Sequence, residues 1–265
     1  MKETVNLLKM RTELNSSVNY FLALKKGELY VNNLINRQIS LKWEDEIYCI
    51  KCGNKTKKSF AQGYCYPCFV SAPETAPCIL QPELCEAHLG KARDLQWSEK
   101  NCLTDHYVYL ALSSGVKVGV TRASQIPTRW IDQGAVQAVK FAKTPNRHLA
   151  GLIEKDLKKH FSDKTSWQKM LKNDIDFNAD LLSEKQKAAA LLRSDLNKYI
   201  TEDKKIYRIN YPVTVYPEKI KSINLEKTPE FSGKLIGIKG QYLIFDGGFV
   251  INIRKYGGYK VSIEY

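Results

Sequence analysis

The sequence has 265 residues, of which 43% are apolar, and 41 Lys and Arg against 28 Asp and Glu give a formal net charge of +13. This apolar content excludes disorder over most of the chain, and no apolar run approaches the ~18 residues of a membrane-spanning helix. The charge indicates a polyanionic partner, nucleic acid or an anionic membrane surface, of which we expect nucleic acid; a merely solvated Lys-rich surface is the alternative.

The N-terminus is interrupted by charges and lacks the apolar core of a signal peptide, so we expect a cytoplasmic protein with reduced cysteines and no membrane association. Most of the positive charge falls in the middle and at the C-terminal end. We predict an α+β protein in five segments: a β-rich 1–48, a zinc-binding 49–104, a compact core 105–172, an acidic helical connector 173–203 and a basic β domain 204–265.

The strongest motif is a pair of Cys-x2-Cys turns, Cys49 with Cys52 and Cys65 with Cys68, separated by twelve residues. Each turn places two thiolates on one side of a knuckle, and together they supply the four ligands of a tetrahedral zinc site. Four protein ligands leave no open position for water, so the site is predicted to be structural. Two disulfides are the alternative, which a reducing compartment disfavours.

A second set of possible ligands follows, in which Cys85 and His88 repeat the x2 spacing and Cys78 and Cys102 lie on either side. This set predicts a second structural zinc site of the Cys3His type. Buried free thiols and a surface histidine are the alternative. The spacing leaves open whether the two sites are sequential or interleaved.

The core segment alternates between strand and helix patterns. Strands are predicted at 106–112 and 116–120 as a hairpin, then a short helix near 126–133 and a third strand at 135–142. Thr144 and Pro145 are typical of a helix start, and an apolar stripe follows along Leu149, Ile153 and Leu157.

This order resembles the GIY-YIG nuclease superfamily, with Tyr107-Val-Tyr109 at the first motif and Lys117-Val-Gly119 at the second. The resemblance covers about residues 105–172 and implies a small antiparallel sheet flanked by helices that binds or cleaves phosphodiesters. The sequence departs from the pattern at Lys117, where the second motif has tyrosine, although a phage-associated branch shares this change. A terminal asparagine usual in the nucleases is not identifiable.

By that resemblance, Tyr109 would assist the attacking water, Arg129 would hold the scissile phosphate, and Glu154 would hold one Mg²⁺ or Mn²⁺. Lys117 would either contact phosphate or, with a lowered pKa, help to activate water. Each residue also has a plainer interpretation. Tyr109 could pack across strands, Arg129 could be solvated, and Glu154 could pair with Lys158 one helical turn later.

A second resemblance spans most of residues 49–172. The runs 60–68 (FAQGYCYPC), 82–85 (PELC), 115–122 (GVKVGVTR) and 126–135 (IPTRWIDQGA) resemble a bacterial family, the domain of unknown function 2797. This resemblance implies no activity.

The remaining segments carry weaker signals. Ser183 to Gln186 has the pattern of a capping box before a helix over 188–200. Residues 206–265 predict five or more short strands with Gly turns and interleaved aromatics, hence a small β-barrel or curled sheet, a type of domain that often binds single strands. We expect the β-rich 1–48 to pack against these strands.

Three hypotheses for function follow. The first is a zinc-stabilised nucleic-acid-binding protein with a GIY-YIG-like core that acts as a Mg²⁺-dependent nuclease. The second is a catalytically inert RNA- or DNA-binding module on the same scaffold, and the third is an adaptor whose zinc knuckles dock a protein partner. The sequence leaves open whether the protein is an enzyme, which strand type it prefers and its oligomeric state.

Overall fold

The computed structural model describes residues 1–161 and 166–265. In these ranges the chain forms 15 strands, which are β1 Lys2–Asn6, β2 Arg11–Leu14, β3 Val18–Ala23, β4 Glu28–Tyr30, β5 Gln38–Tyr48, β6 Lys55–Thr56, β7 His106–Leu112, β8 Val116–Arg122, β9 Gln137–Thr144, β10 Tyr207–Arg208, β11 Lys221–Ser222, β12 Glu230–Lys239, β13 Tyr242–Phe245, β14 Phe249–Asn252 and β15 Tyr259–Glu264.

The same ranges contain six α-helices, which are α1 Tyr66–Ser71, α2 Leu95–Asn101, α3 Thr128–Asp132, α4 Arg147–Leu157, α5 Trp167–Lys172 and α6 Leu181–Leu191. None of these helices has the length and the apolar content that crossing a bilayer requires. The chain divides into two compact units, one formed by Met1–Val70 with Asn210–Tyr265 and the other by Ser71–Ile209. The five-segment division of the sequence stays a prediction.

The first unit is built on an eight-stranded mixed sheet in the order β1-β15-β5-β12-β13-β14-β11, with β6 also paired to β5. The pairs are antiparallel except β11 with β14, which run parallel. A three-stranded antiparallel sheet, β2-β3-β4, completes this unit. The expectation that residues 1–48 pack against the C-terminal strands is confirmed.

The predicted C-terminal barrel or curled sheet is wrong. The C-terminal strands form no closed sheet of their own; instead Ile263 of β15 and Phe231 of β12 both pair with Leu41 of β5, one on each side. The 11-residue β5 offers hydrogen-bonding groups on two edges, and the strands that follow residue 229 satisfy both.

The second unit contains a four-stranded antiparallel sheet in the order β10-β9-β7-β8. One face of this sheet packs against α4 and α6 in a core that includes Val108, Leu110, Val118, Val139, Phe141, Ala150, Ile153, Leu157 and Ala188. The small antiparallel sheet flanked by helices is therefore present. Because successive side chains of a strand point to opposite faces of the sheet, the other face carries a different set of side chains.

Two helix starts differ from the predictions. Helix α4 begins at Arg147, because the side chain of Asn146 accepts the Leu149 N–H at 2.9 Å and caps the helix in place of Thr144. Helix α6 is capped by Asp180, which accepts the N–H of Leu182 at 3.0 Å, so the capping box at Ser183 does not form. The helix ends at Leu191, and a 3₁₀ turn over Ser194–Tyr199 follows.

Candidate functional site

The first four cysteines converge in the unit that contains Met1–Val70. Strand β5 ends just before Cys49, and α1 begins just after Cys65 and contains Cys68. The four sulfur atoms all lie within 4.8 Å of one another, and the Cys52 and Cys65 Sγ atoms are 3.8 Å apart. A tetrahedral zinc ion with Zn–S bonds of about 2.3 Å requires sulfur atoms about 3.8 Å apart, so this cluster fits a zinc site.

The alternative of two disulfides is wrong, because all four thiols are free and 3.8 Å is far longer than an S–S bond of about 2.05 Å. The knuckle that ends at Cys65 needs a glycine at residue 63. Gly63 has φ +141, and a Cβ there would lie 2.8 Å from the Ile50 side chain.

The electrostatics of the cluster favour a cation. Burial opposes ionisation of the Cys49 thiol, yet the backbone N–H groups of Cys52, Cys65 and Lys51 outweigh it and lower its pKa to about 6. Burial, together with the neighbouring thiols, raises the pKa of Cys68 to about 12. One of the four thiols therefore ionises readily, whereas ionisation of all four requires a positive charge between the sulfur atoms. A zinc ion would supply that charge.

The second predicted set lies in the Ser71–Ile209 unit and is less compact. Cys85 and Cys102 are buried, and Cys78 and Trp97 pack against them. The neighbouring thiols of Cys78 and Cys85 lower the pKa of Cys102. Within residues 1–161 and 166–265, however, the first cysteine set is the one group of three or more ligands with all its ligand atoms within 4.8 Å.

The three thiols and His88 line a common cavity of about 640 Å³, and His148 lines it too. The rings of His88 and His148 stack with centroids 4.5 Å apart, and His148 Nδ1 lies 2.8 Å from the Glu83 carbonyl oxygen. The sequence analysis missed His148. Its position near the start of the helix predicted from Thr144 was the available signal.

Helix α4 meets residues 77–90, which we name the cysteine segment, in close backbone contact at Gly151. A Cβ on Gly151 would lie 2.1 Å from the Glu83 backbone nitrogen. Beyond the segment, the Arg147 N–H donates to the Cys102 carbonyl at 2.8 Å, and its guanidinium donates to the Asn101 carbonyl at 3.2 Å. The helix therefore lies against the cysteine segment as closely as backbone allows.

The first and last residues of each sequence motif lie on the sheet face that α4 and α6 do not cover, whereas the middle residues Val108 and Val118 lie in the core with these helices. Tyr109 pairs with Gly119 across β7 and β8, and Ala111 pairs with Lys117, which places these side chains on one face. A Cβ on Gly119 would lie 2.6 Å from the Tyr109 hydroxyl oxygen. The glycine is needed because the tyrosine ring lies directly over it.

Tyr109 is fully buried. Its hydroxyl donates to Gln133 Oε1 at 2.8 Å, and its ring meets that of Trp130 edge-on at 6.0 Å. Gln133, just after α3, was not among the predicted site residues. It is identified only by its hydrogen bond to Tyr109 in the folded chain. Lys117, on the same sheet face, is 3% exposed.

Arg129 and Glu154 lie close enough to Tyr109 to act on its ionisation. Burial raises the pKa of Tyr109, the charge and hydrogen bond of Arg129 oppose the rise, and the negative charge of Glu154 adds to it. Glu154 is 8% exposed, and its Oε2 lies 3.3 Å from Lys158 Nζ. It belongs to no group of three or more metal ligands in the described part of the chain.

Buried ionisable groups gathered at one place are typical of functional sites as well as of structural ion pairs. Arg129 and Glu154 both lie near enough to Tyr109 to affect its ionisation, and the roles of the three residues stay predictions.

A family described as "Protein of unknown function (DUF2797)" matches residues 36–261. The chain belongs to this family, which confirms the resemblance to the domain of unknown function 2797, whereas the resemblance to the GIY-YIG superfamily stays a prediction. No curated protein and no solved structure matches the chain.

Proposed function

We propose that this member of the DUF2797 family is a zinc-stabilised nucleic-acid-binding protein whose Tyr109–Arg129–Glu154 cluster cleaves phosphodiesters with the help of a divalent cation. The observation that carries the proposal is the proximity of a half-buried guanidinium and a buried carboxylate to the buried tyrosine hydroxyl. The proposal also draws on the GIY-YIG resemblance, which implies a small antiparallel sheet flanked by helices; the Ser71–Ile209 unit contains a sheet of this kind, with α4 packed across β9, β7 and β8.

Each residue has a task that suits its chemistry. The Arg129 guanidinium, half-buried on α3, binds the phosphate through charge-assisted hydrogen bonds. The Tyr109 hydroxyl, held in place by Gln133, orients a water molecule for attack. The Glu154 carboxylate would hold one Mg²⁺ or Mn²⁺, which usually needs only one or two protein carboxylates and which, when bound, neutralises charge that develops on the phosphate.

Zinc has a structural task in this proposal. The Cys49, Cys52, Cys65 and Cys68 cluster holds one ion. A second ion is held by Cys78, Cys85 and Cys102 with His88, whose ring lines the same cavity as the three thiols. Neither ligand set leaves a position for a reacting water, so both ions stabilise the fold.

The polyanionic partner is supported by the net charge of +13. Phosphate contacts by Lys and Arg release counterions, so the logarithm of the affinity should fall with the logarithm of the salt concentration by about 0.7 to 0.9 per contact. A protein that ignores both RNA and DNA at low salt would instead favour the adaptor hypothesis.

The test is a cleavage assay on single- and double-stranded RNA and DNA with Mg²⁺ and with Mn²⁺. We expect Glu154→Gln to abolish cleavage and to leave binding nearly intact, because one carboxamide does not weaken a basic surface. The matched control is Glu99→Gln, an exposed glutamate of the same unit. Cleavage that survives in Glu154→Gln would contradict the proposed site.

One observation favours the inert binding module as a second candidate. Tyr109 has no exposed surface, and its hydroxyl is already bonded to Gln133. A substrate must displace that bond before the hydroxyl can serve catalysis. If the wild-type protein binds nucleic acid but cleaves no substrate with either cation, the inert module becomes the better description.

A further inference from the structure

The sheet face that carries Tyr109 extends to two further tyrosines. Tyr107 lies two residues earlier on β7, so its side chain projects from the same face. Tyr207 on β10 pairs with Ala138, which itself pairs with Ala111 of β7, so Tyr207 also lies on this face. Unlike Tyr109, both of these tyrosines are only half-buried.

Lysine ammonium groups lie over the two rings. Lys140 Nζ is 4.8 Å from the Tyr107 ring centroid and 5.4 Å from that of Tyr207, and Lys205 Nζ is 4.9 Å from the Tyr207 centroid. Trp130 supports Tyr207 from within, with ring centroids 4.9 Å apart. Tyr207 thus has an aromatic ring packed against it from within, and both tyrosine rings have a lysine ammonium group within cation–π distance.

Two carboxylates adjoin this face. Asp203 Oδ2 lies 3.7 Å from Lys140 Nζ, and Asp105 Oδ2 lies 2.7 Å from Lys143 Nζ. Exposed ion pairs such as Lys143–Asp105 contribute at most about 1 kcal/mol, and the partly buried Lys140–Asp203 pair is long at 3.7 Å, so a phosphate can compete for both lysines.

We infer that Tyr107 and Tyr207 form a stacking platform for unpaired bases, with Lys140 and Lys205 bound to the adjoining phosphates, so that the protein selects single-stranded nucleic acid over duplex. The inference rests on the proposed function and names its substrate class. Aromatic rings on an open sheet bind bases through their faces, which are exposed in a single strand and hidden in a duplex.

The platform lies beside the proposed cleavage site. Trp130 contacts both Tyr207 and Tyr109, so a single ring separates the platform from the buried hydroxyl. A strand whose bases stack on the platform therefore has its backbone close to Arg129, the neighbour of Trp130 on α3.

The test measures affinity by fluorescence anisotropy for an oligonucleotide as a single strand and as a duplex. We expect Tyr107→Ala and Tyr207→Ala each to weaken single-strand binding by about 5- to 150-fold, and Tyr107→Phe to leave it unchanged because the ring remains. The control is Tyr30→Ala, a half-buried strand tyrosine beside Phe21 in the other unit.

The lysines provide a second measurement. Lys205→Gln should reduce the slope of log affinity against log salt by about 0.7, the value of one single-strand phosphate contact, whereas Lys204→Gln, its exposed neighbour, should not change it. An equal effect of the two variants would contradict a specific contact by Lys205.

A third measurement needs no variant and therefore stands even if the alanine variants fail to fold. A single strand that contains 2-aminopurine should lose fluorescence when the wild-type protein binds it, because the base stacks on a tyrosine. Duplex binding as tight as single-strand binding, without quenching of the single strand, would overturn the platform and leave the proposed function standing. Failure to bind any nucleic acid at low salt would overturn both.

Discussion

Gly119→Ala tests whether Tyr109 is held as rigidly as the site requires. The added methyl carbon would lie 2.6 Å from the Tyr109 hydroxyl oxygen and 2.7 Å from the ring carbon Cζ, closer than carbon atoms approach in proteins. The ring cannot move away easily, since it is fully buried, bonded to Gln133 and packed against Trp130.

The expected cost has two parts. Overpacking of a filled interior costs about 1–3 kcal/mol, and displacement of the hydroxyl from Gln133 removes a hydrogen bond that contributes roughly 1 kcal/mol. The free energy of unfolding of the variant should therefore fall by about 2–4 kcal/mol. A domain of 150–250 residues loses about 2–4 °C in Tm for each kcal/mol, so a drop of roughly 4–16 °C is expected.

The assay is thermal and urea unfolding of the wild type, Gly119→Ala and Gly115→Ala. Gly115 is the matched control, because a Cβ there meets no atom within 4 Å and the residue lies in the turn of the same hairpin. In a Tyr109→Phe background, which lacks the nearest clashing atom, the cost of Gly119→Ala should be smaller. If Gly119→Ala is as stable as Gly115→Ala, the reasoning that Tyr109 is fixed over Gly119 is wrong.

Two further predictions concern zinc and a buried lysine. Wild-type protein purified without added metal should contain two zinc ions per chain by elemental analysis. Cys52→Ser should lose one of these ions and Cys85→Ser the other. Substoichiometric zinc in the wild type would contradict both sites. Burial lowers the pKa of Lys239 from 10.5 to about 8. Between these two pH values the unfolded chain therefore binds more protons than the folded chain. The free energy of unfolding should rise between pH 8 and 10.5 by at most about 3 kcal/mol. Urea unfolding of Lys239→Met should lack that rise; an equal rise in both proteins would show that Lys239 is not its source.

The features that depend on residues close in the sequence were predicted better than the pairing of strands that are distant in the sequence. The Cys-x2-Cys spacing identified the first zinc cluster, and the alternation of residues 106–112 and 116–120 predicted β7 and β8, because both signals lie within a few residues. The pairing of β5 with β12 and β15 joins residues about 200 positions apart, and no local pattern encodes it. This is why the C-terminal strands were expected to close on themselves.

The same distinction applies to the site. Tyr109, Arg129 and Glu154 came from an ordered motif, whereas Gln133 and His148 become relevant only through contacts made by the folded chain. The helix start was misplaced because Thr144 and Asn146 are both good caps, and only the hydrogen bond to Leu149 decides between them.

Helix α4 is packed on two sides, against the sheet on one side and against the cysteine segment on the other. Gly151 leaves no space against Glu83, and Ile153 and Leu157 fill the core beneath the sheet. The helix can neither slide nor tilt without losing its packing against the sheet or the cysteine segment. The position of the Glu154 carboxylate is therefore set by both contacts. Gly151→Ala would force α4 and the cysteine segment apart and would therefore shift the Glu154 carboxylate, although Glu154 itself is unchanged.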